Sequence, residues 1–149
     1  DLCIFSPRYN LISLSLIPCL MSGNFKPPPK QSSIKLDSFI YDSPSVGLMK
    51  ALQHYHIHHQ KIVYAQAILE TGYFTSDVYK RHNNLFGLYN SKSHSYYHFN
   101  NWYESVDAYG RYIQYRYNGK GYYKFLKRIK YSESDDYIKQ IKRIKKKIK

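Results

Sequence analysis

The segment that most constrains the fold of this chain is an apolar run that ends in a glutamate and a tight turn. It covers residues 62–72 and reads Ile-Val-Tyr-Ala-Gln-Ala-Ile-Leu-Glu-Thr-Gly. Four of its residues recur at helical spacing and predict one buried helix face; they are Ile62, Ala65, Gln66 and Leu69. Because Gly72 follows at a position where glycine commonly ends a helix, the run predicts a buried helix that stops just after Glu70.

Glu70 lies beside this face, one helical turn beyond Gln66. A carboxyl group partly enclosed by apolar side chains loses hydration when it ionises, so the pKa of Glu70 is expected to rise. A glutamate that keeps its proton near neutral pH can protonate the leaving oxygen of a glycosidic bond. The alternative interpretation is a solvated glutamate at a helix end, which takes no part in catalysis.

A second motif favours the catalytic interpretation. Asn-Asn-Leu-Phe-Gly occupies residues 83–87, and together with Ala-Gln-Ala-Ile-Leu-Glu-Thr-Gly it resembles the glucosaminidase family of peptidoglycan hydrolases. Residues 99–109 resemble the aromatic segment of that family, which leads into a Ser-containing helix. Tyr131 and Tyr137 are similar in spacing to the tyrosine pair before its last helix. The resemblance extends over roughly residues 38–148.

The resemblance implies both a fold and an activity. The expected fold is mainly α (α+β), a lysozyme-like helical domain with a short hairpin or loop lobe beside an active-site cleft. The expected activity is that of an endo-β-N-acetylglucosaminidase, which cleaves the β-1,4 bond on the reducing side of N-acetylglucosamine with Glu70 as the acid. The expected partner is the glycan strand of peptidoglycan, and the protein is expected to be a monomer. No cofactor, metal, nucleic acid or specific protein partner is implied.

The resemblance also implies which other side chains form the site. Tyr131 matches the active-site tyrosine of the family and is expected to orient the acetamido group or the developing cation, the alternative being a buried hydrogen-bonded ring. Flat rings with a polar tip suit sugar faces, and loop asparagines satisfy turn backbone groups as well as lining clefts. The expected substrate-binding residues are Asn83, Asn84, Tyr96, Tyr97, Trp102, Tyr103 and Tyr137.

The resemblance does not identify a second catalytic group, because residues 88–102 contain no Asp or Glu. The family tends to carry its second carboxylate in this segment. Three alternatives follow: Glu104 or Asp107 supplies it, the N-acetyl group of the substrate acts as the nucleophile, or the protein is an inactive module that only binds cell-wall glycan. An acidic residue in the first turn also stabilises a helix, and this interpretation is preferred for Glu104.

Composition limits the partners and the stabilising chemistry. Lys and Arg total 23 against 10 acidic residues, and a formal charge of +13 attracts polyanions such as nucleic acid, anionic lipid or a bacterial wall. Both cysteines lie in the first twenty residues, so no disulfide framework is expected in the rest. His54 and His58 are expected on one helix face, but no carboxylate or cysteine of fitting spacing joins them, so no metal is predicted.

The chain divides into two parts. Residues 1–35 are predicted to hold a signal-like or untranslated apolar segment and a Pro-rich linker, and residues 36–149 the catalytic domain. The protein is expected outside the cytoplasm, secreted or wall-associated, or to be phage-borne if Met21 is the true start. Helices are predicted over 44–54, 59–71, 76–82, 105–117, 122–128 and 134–148, with a hairpin or loop over 89–98.

Overall fold

The fold comes from a computed structural model, which describes residues 2–4 and 42–148. In chain order its elements are β1 (Leu2–Ile4), α1 (Pro44–His54), α2 (Gln60–Thr71), α3 (Asp77–His82), β2 (Leu88–Asn90), β3 (Ser95–Tyr96), α4 (Trp102–Tyr112), a 3₁₀ helix (Gln114–Arg116), α5 (Tyr122–Arg128) and α6 (Tyr137–Lys145). Among these helices, none is long and apolar enough to cross a membrane. The predicted mainly α, lysozyme-like fold with a small hairpin is confirmed.

Capping residues explain the position of one end of each of the first three helices. Ser43 is extended and Pro44 occupies the first position of α1, where the fixed φ of proline already matches a helix. α2 ends at Gly72, whose φ of 58° is a left-handed conformation that glycine adopts readily. At the start of α3, the Ser76 hydroxyl accepts a hydrogen bond from the backbone N–H of Tyr79.

Two helices differ from their predicted bounds by more than one residue. α4 begins three residues earlier than the predicted 105–117 and ends five residues earlier, where the 3₁₀ helix follows. Its early start is held by Glu104, whose Oε2 accepts a hydrogen bond from the backbone N–H of Asn100 at 3.1 Å. α6 is shorter at both ends than the predicted 134–148. Local side-chain contacts therefore shift helix ends that periodicity alone does not place.

α2 lies at the centre of the core, between α1 and α6. The face predicted to be buried is buried: Ile62, Ala65, Gln66 and Leu69. Further residues of the same helix are buried too: Val63, Ala67, Glu70 and Thr71. The helix is thus enclosed on several sides, rather than lying on the surface with one apolar face. Ile141 and Ile144 of α6 are also buried and belong to the same core.

The strands form a small antiparallel sheet in the order β1-β2-β3. β2 and β3 make the predicted hairpin, with Tyr89 opposite Tyr96. On its other side β2 pairs with β1, so that Ile4 lies opposite Leu88. Sequence analysis did not anticipate a strand at residues 2–4; the rest of the predicted apolar segment and Pro-rich linker lies outside the described residues.

His54 and His58 differ from their predicted arrangement. α1 ends at His54, so His58 lies beyond the helix and the two side chains do not share a helix face. The His54 ring instead packs edge-on against Tyr55, with the ring centroids 4.8 Å apart. Within residues 42–148 no three His, Cys, Asp or Glu side chains are grouped so that they could hold a metal ion.

Candidate active site

Glu70 occupies the last turn of α2, and its side chain is buried, with 5% of its surface exposed. Oε1 accepts a hydrogen bond of 2.8 Å from the hydroxyl of Tyr137, the first residue of α6. Gln66, one turn earlier on α2, donates to the same hydroxyl at 3.2 Å. Because two residues of α2 meet one residue of α6, the packing of these helices determines where the carboxyl group lies. Glu70 is therefore not the solvated helix-end residue of the alternative interpretation.

Besides burial, the charge of Glu70 raises the pKa of three tyrosines from other parts of the chain. Burial raises the pKa of both Tyr131 and Tyr137 well above the ordinary value, and the nearby Glu70 carboxylate raises each further. Burial also raises the pKa of Tyr96, with additional contributions from Tyr89 and Glu70. All three phenols stay neutral at neutral pH. The fold thus brings together Glu70 and three of the tyrosines predicted for the site.

Tyr131 and Tyr137 lie side by side next to the acid. Their rings are stacked, with centroids 5.7 Å apart and an interplanar angle of 23°. The Tyr131 hydroxyl donates to the backbone carbonyl of Phe86, in the turn predicted from the Asn-Asn-Leu-Phe-Gly motif. Tyr131 is fully buried and hydrogen-bonded, so it connects this turn to Tyr137, the residue that bonds to Glu70.

The backbone makes an unusual turn directly after Glu70. Gly72, Tyr73 and Phe74 have consecutive φ values of 58°, 59° and 62°, a left-handed conformation that non-glycine residues rarely adopt. The Thr71 hydroxyl holds this turn, since it donates to the Ala67 carbonyl and accepts from the N–H of Phe74. As a result Tyr73 points outward, with 61% of its surface exposed. Sequence reasoning missed this exposed ring, and only its place directly after a helix-ending glycine could have suggested it.

Asn83 and Asn84 hold the turn and the hairpin together. The Asn83 amide donates to the carbonyls of Phe99 and Asn100 at 3.0 Å each. The buried Asn84 amide donates to the carbonyls of Leu88 and Tyr97, while its Oδ1 accepts from the N–H of Leu88. Their predicted role in satisfying turn backbone groups is confirmed.

The aromatic residues predicted to bind glycan occupy two different environments. Tyr96 and Tyr97 are half-buried on and after β3, and Tyr97 stacks on Phe99. Trp102 is 8% exposed, and its indole N–H donates to the Asp42 carbonyl. Tyr103 is half-buried at the edge of Trp102. Trp102 therefore anchors the start of α4, whereas the three tyrosines keep surface that a sugar could cover.

Glu104 belongs to a separate group of charges. Besides its hydrogen bond to the Asn100 N–H, it is one of the groups that raise the pKa of Tyr55, after burial, Asp107 and Tyr103. Asp107 itself forms an ion pair with Arg111 one turn later on α4, at 2.8 Å. Both acidic residues therefore lie near Tyr55, the residue that follows α1.

Two of the surface depressions among the described residues bear on the site. One, of about 210 Å³, includes Tyr137 in its lining together with Glu133 and Asp135. The other, of about 220 Å³, is lined by residues that include His56 and Gln114. Neither is lined by Glu70, so we assign neither to the glycan.

The fold is the mainly helical, lysozyme-like one that the sequence resemblance implies, and a buried glutamate lies in it among tyrosines. Residues 47–149 match the family model Glucosaminidase, described as mannosyl-glycoprotein endo-beta-N-acetylglucosaminidase. The match covers more than half of the chain, and the chain belongs to this family. A search of curated proteins and a search of solved structures found no significant match. The resemblance seen in the sequence is confirmed, and membership supports a peptidoglycan hydrolase in general.

Proposed function

We propose that the protein is an endo-β-N-acetylglucosaminidase that cleaves the β-1,4 bond on the reducing side of N-acetylglucosamine in peptidoglycan, with Glu70 as the general acid. The observation that carries this proposal is the buried Glu70 carboxyl group, hydrogen-bonded to Tyr137. A carboxyl group removed from water can hold a proton that a solvated one would lose. Family membership supports the substrate class, and peptidoglycan as substrate would place the protein outside the cytoplasm.

In this mechanism Glu70 gives its proton to the glycosidic oxygen as the bond to the anomeric carbon breaks. The acetamido carbonyl oxygen of the same N-acetylglucosamine attacks that carbon and forms a cyclic oxazolinium ion. Water then opens the ring, Glu70 takes the proton of the water, and the configuration is retained. The acetamido route is favoured over Glu104, because Glu104 Oε2 is engaged with a helix-end N–H.

The other predicted site residues divide into two roles. Tyr96, Tyr97 and Tyr103 are only half-buried, and we assign them to direct sugar contact together with the exposed Tyr73. The remaining residues support the site through the contacts described above: Asn83, Asn84, Trp102, Tyr131 and Tyr137. Tyrosine rings suit this division, since their faces are apolar and their hydroxyls bind sugar hydroxyls.

The experiment that tests the proposal identifies the bond that is cut. Purified peptidoglycan is digested, the new reducing ends are reduced with borohydride, and the soluble fragments are analysed by mass spectrometry. We expect reduced N-acetylglucosamine at the fragment ends with the parent protein, and no fragments with Glu70→Gln.

Two other outcomes would contradict the proposal. Reduced N-acetylmuramic acid would show that the other glycosidic bond is cut. Binding to insoluble peptidoglycan without any new reducing ends would favour a glycan-binding module with an inactive site, which is suggested by the lack of acidic residues over 88–102.

A further inference from the structure

A continuous row of hydrogen bonds crosses the core and ends at Glu70. It joins six buried side chains, which we call the hydroxyl–amide chain, in this order: Gln114, Tyr122, Tyr109, Gln66, Tyr137 and Glu70. The five hydrogen bonds measure 2.8, 2.6, 2.8, 3.2 and 2.8 Å. The six residues come from α2, α4, the 3₁₀ helix, α5 and α6, so the row connects nearly every helix around the core.

Each donor in the chain points towards Glu70. The Tyr109 hydroxyl donates its single proton to Gln66 Oε1, so the proton between Tyr109 and Tyr122 belongs to Tyr122. Gln66 then donates from Nε2 to Tyr137, whose own proton goes to Glu70. At the far end, Gln114 donates to Tyr122 and is held by both the N–H and the carbonyl of His58.

We propose that the hydroxyl–amide chain positions the Glu70 carboxyl group and adjusts its acidity, which makes Gln66, Tyr109 and Tyr122 positioning residues for the reaction. This inference rests on the proposed function of Glu70 as an acid. None of the three has to touch the substrate, and they act through Tyr137 on the acid itself.

The direction of the donors determines the sign of the effect. A donor aimed at a carboxylate stabilises the ionised form, and donors linked in series polarise one another in a low-dielectric interior. Burial acts the other way, because it favours the neutral form. The chain therefore limits how far burial can raise the pKa of Glu70, and keeps the acid able to release its proton during the reaction.

The row is not a path for proton transfer. Gln66 lies in its middle, and an amide does not pass a proton on as a hydroxyl does. The chain acts through the orientation and polarity of its bonds. Its influence on Glu70 should accordingly fall as the removed hydroxyl lies further along the row.

Three variants test this gradient: Tyr137→Phe, Tyr109→Phe and Tyr122→Phe, each of which removes one hydroxyl and keeps the ring. Tyr117→Phe is the matched control, because its hydroxyl bonds to His59 and its ring packs on Tyr122, but it is outside the chain. The Glu70 carboxyl group is titrated directly by carbon NMR with labelled glutamate, and the pH dependence of peptidoglycan cleavage is measured in parallel.

We expect Tyr137→Phe to move the Glu70 titration and the basic limb of the activity profile to higher pH, by about one pH unit. Tyr109→Phe should give a smaller shift, Tyr122→Phe a smaller one still, and Tyr117→Phe none. Among the described residues, Tyr96 and Tyr131 are two further titratable groups that interact with the Glu70 charge, and both are unchanged in every variant.

Three outcomes separate the possibilities. Shifts that are absent, or equal in all four variants, would overturn the inference even if some variants were less stable. A graded NMR shift in a parent protein that does not cleave peptidoglycan would support the chain and contradict the proposed function. If Tyr109→Phe fails to fold, the pair of Tyr137→Phe and Tyr122→Phe still measures the gradient.

Discussion

Two regions of the molecule use polar side chains in different ways. In the hydroxyl–amide chain, side chains bond to one another, apart from the contacts of Gln114 with the His58 backbone, and the row ends on a carboxyl group. In the turn–hairpin region, which we define as residues 83–105, side chains bond to the backbone. Asn83, Asn84 and Trp102 donate to carbonyls there, and Glu104 accepts from an N–H.

The difference concerns what each hydrogen bond determines. A bond to the backbone fixes the course of the chain, and its loss leaves a buried carbonyl or N–H without its partner. A bond between side chains fixes the place and charge of a functional group, while the helices around it are held by apolar packing. Conservative changes in the hydroxyl–amide chain should thus affect activity more than stability, and changes in the turn–hairpin region should do the reverse.

The largest effect is expected from Glu70→Gln. The variant loses the transferable proton, so we expect the cleavage rate to fall by about 10²–10⁴-fold, as is usual for a general acid. Because the glutamine oxygen can still accept from Tyr137, the free energy of unfolding should stay within about 1 kcal/mol of the parent. Release of reducing ends and urea unfolding are the two measurements. If the variant unfolds so easily that its loss of stability accounts for its loss of activity, Glu70 belongs with the structural residues of the turn–hairpin region.

Alkaline pH should affect the stability of the two regions differently, because their tyrosine side chains differ in burial. Burial raises the pKa of Tyr109 and Tyr137 well above 10, whereas tyrosines in the unfolded chain ionise near 10. Their stabilising contribution is complete below pH 10 and is lost as the pH rises towards the folded-state pKa. Between these limits the unfolding free energy should fall by about 1.4 kcal/mol per pH unit for each such tyrosine.

Urea unfolding between pH 8 and pH 12 measures this slope. Tyr137→Phe removes one buried phenol and should make the decline shallower. Tyr97→Phe, in the turn–hairpin region, is the comparison, since that ring is only half-buried. Equal slopes in the two variants would show that the burial of Tyr137 does not determine how the unfolding free energy depends on pH.

The two regions also differ in how far the sequence predicts them. Asn83, Asn84 and Gly72 are residue types with strong local preferences, so the turn and the helix end follow from their order in the chain. Gln66 could be placed on a buried face, but its partners Tyr109 and Tyr137 lie 43 and 71 positions away. The chain has 18 tyrosines, and nothing in the local sequence tells which hydroxyls meet in the core.

The same reasoning explains the start of α4. Periodicity placed it at the first apolar repeat, whereas the helix begins at Trp102, where an indole bond to Asp42 and the Glu104 contact with Asn100 hold the first turn. The Asp42 contact spans 60 positions. Distant contacts of this kind are set by the tertiary fold and have no periodic signal in the sequence.

Asn84→Ala should give the largest stability loss in the turn–hairpin region. It leaves the Leu88 N–H and the carbonyls of Leu88 and Tyr97 without their side-chain partner, in a buried place. We expect the unfolding free energy to fall by about 2–4 kcal/mol, measured by urea unfolding.

The control for this prediction is Asn90→Ala, which removes turn contacts with the N–H groups of Lys92 and Ser93 at the exposed tip of the hairpin. It should lose no more than about 1 kcal/mol. Below its unfolding transition, Asn84→Ala should cleave peptidoglycan at close to the parental rate. A rate as low as that of Glu70→Gln would instead place Asn84 in the reaction.

The smallest effect is expected from Glu104→Gln. The amide oxygen can still accept from the Asn100 N–H, so the change removes mainly the negative charge at the first turn of α4. A charge at this position stabilises a helix by about 0.3–1 kcal/mol at low ionic strength. Salt screens such interactions, so the loss seen by urea unfolding should shrink in 1 M NaCl, and the cleavage rate should stay within about twofold of the parent. A rate reduced as far as in Glu70→Gln would contradict the division into two regions and identify Glu104 as the second catalytic carboxylate, in place of the acetamido group.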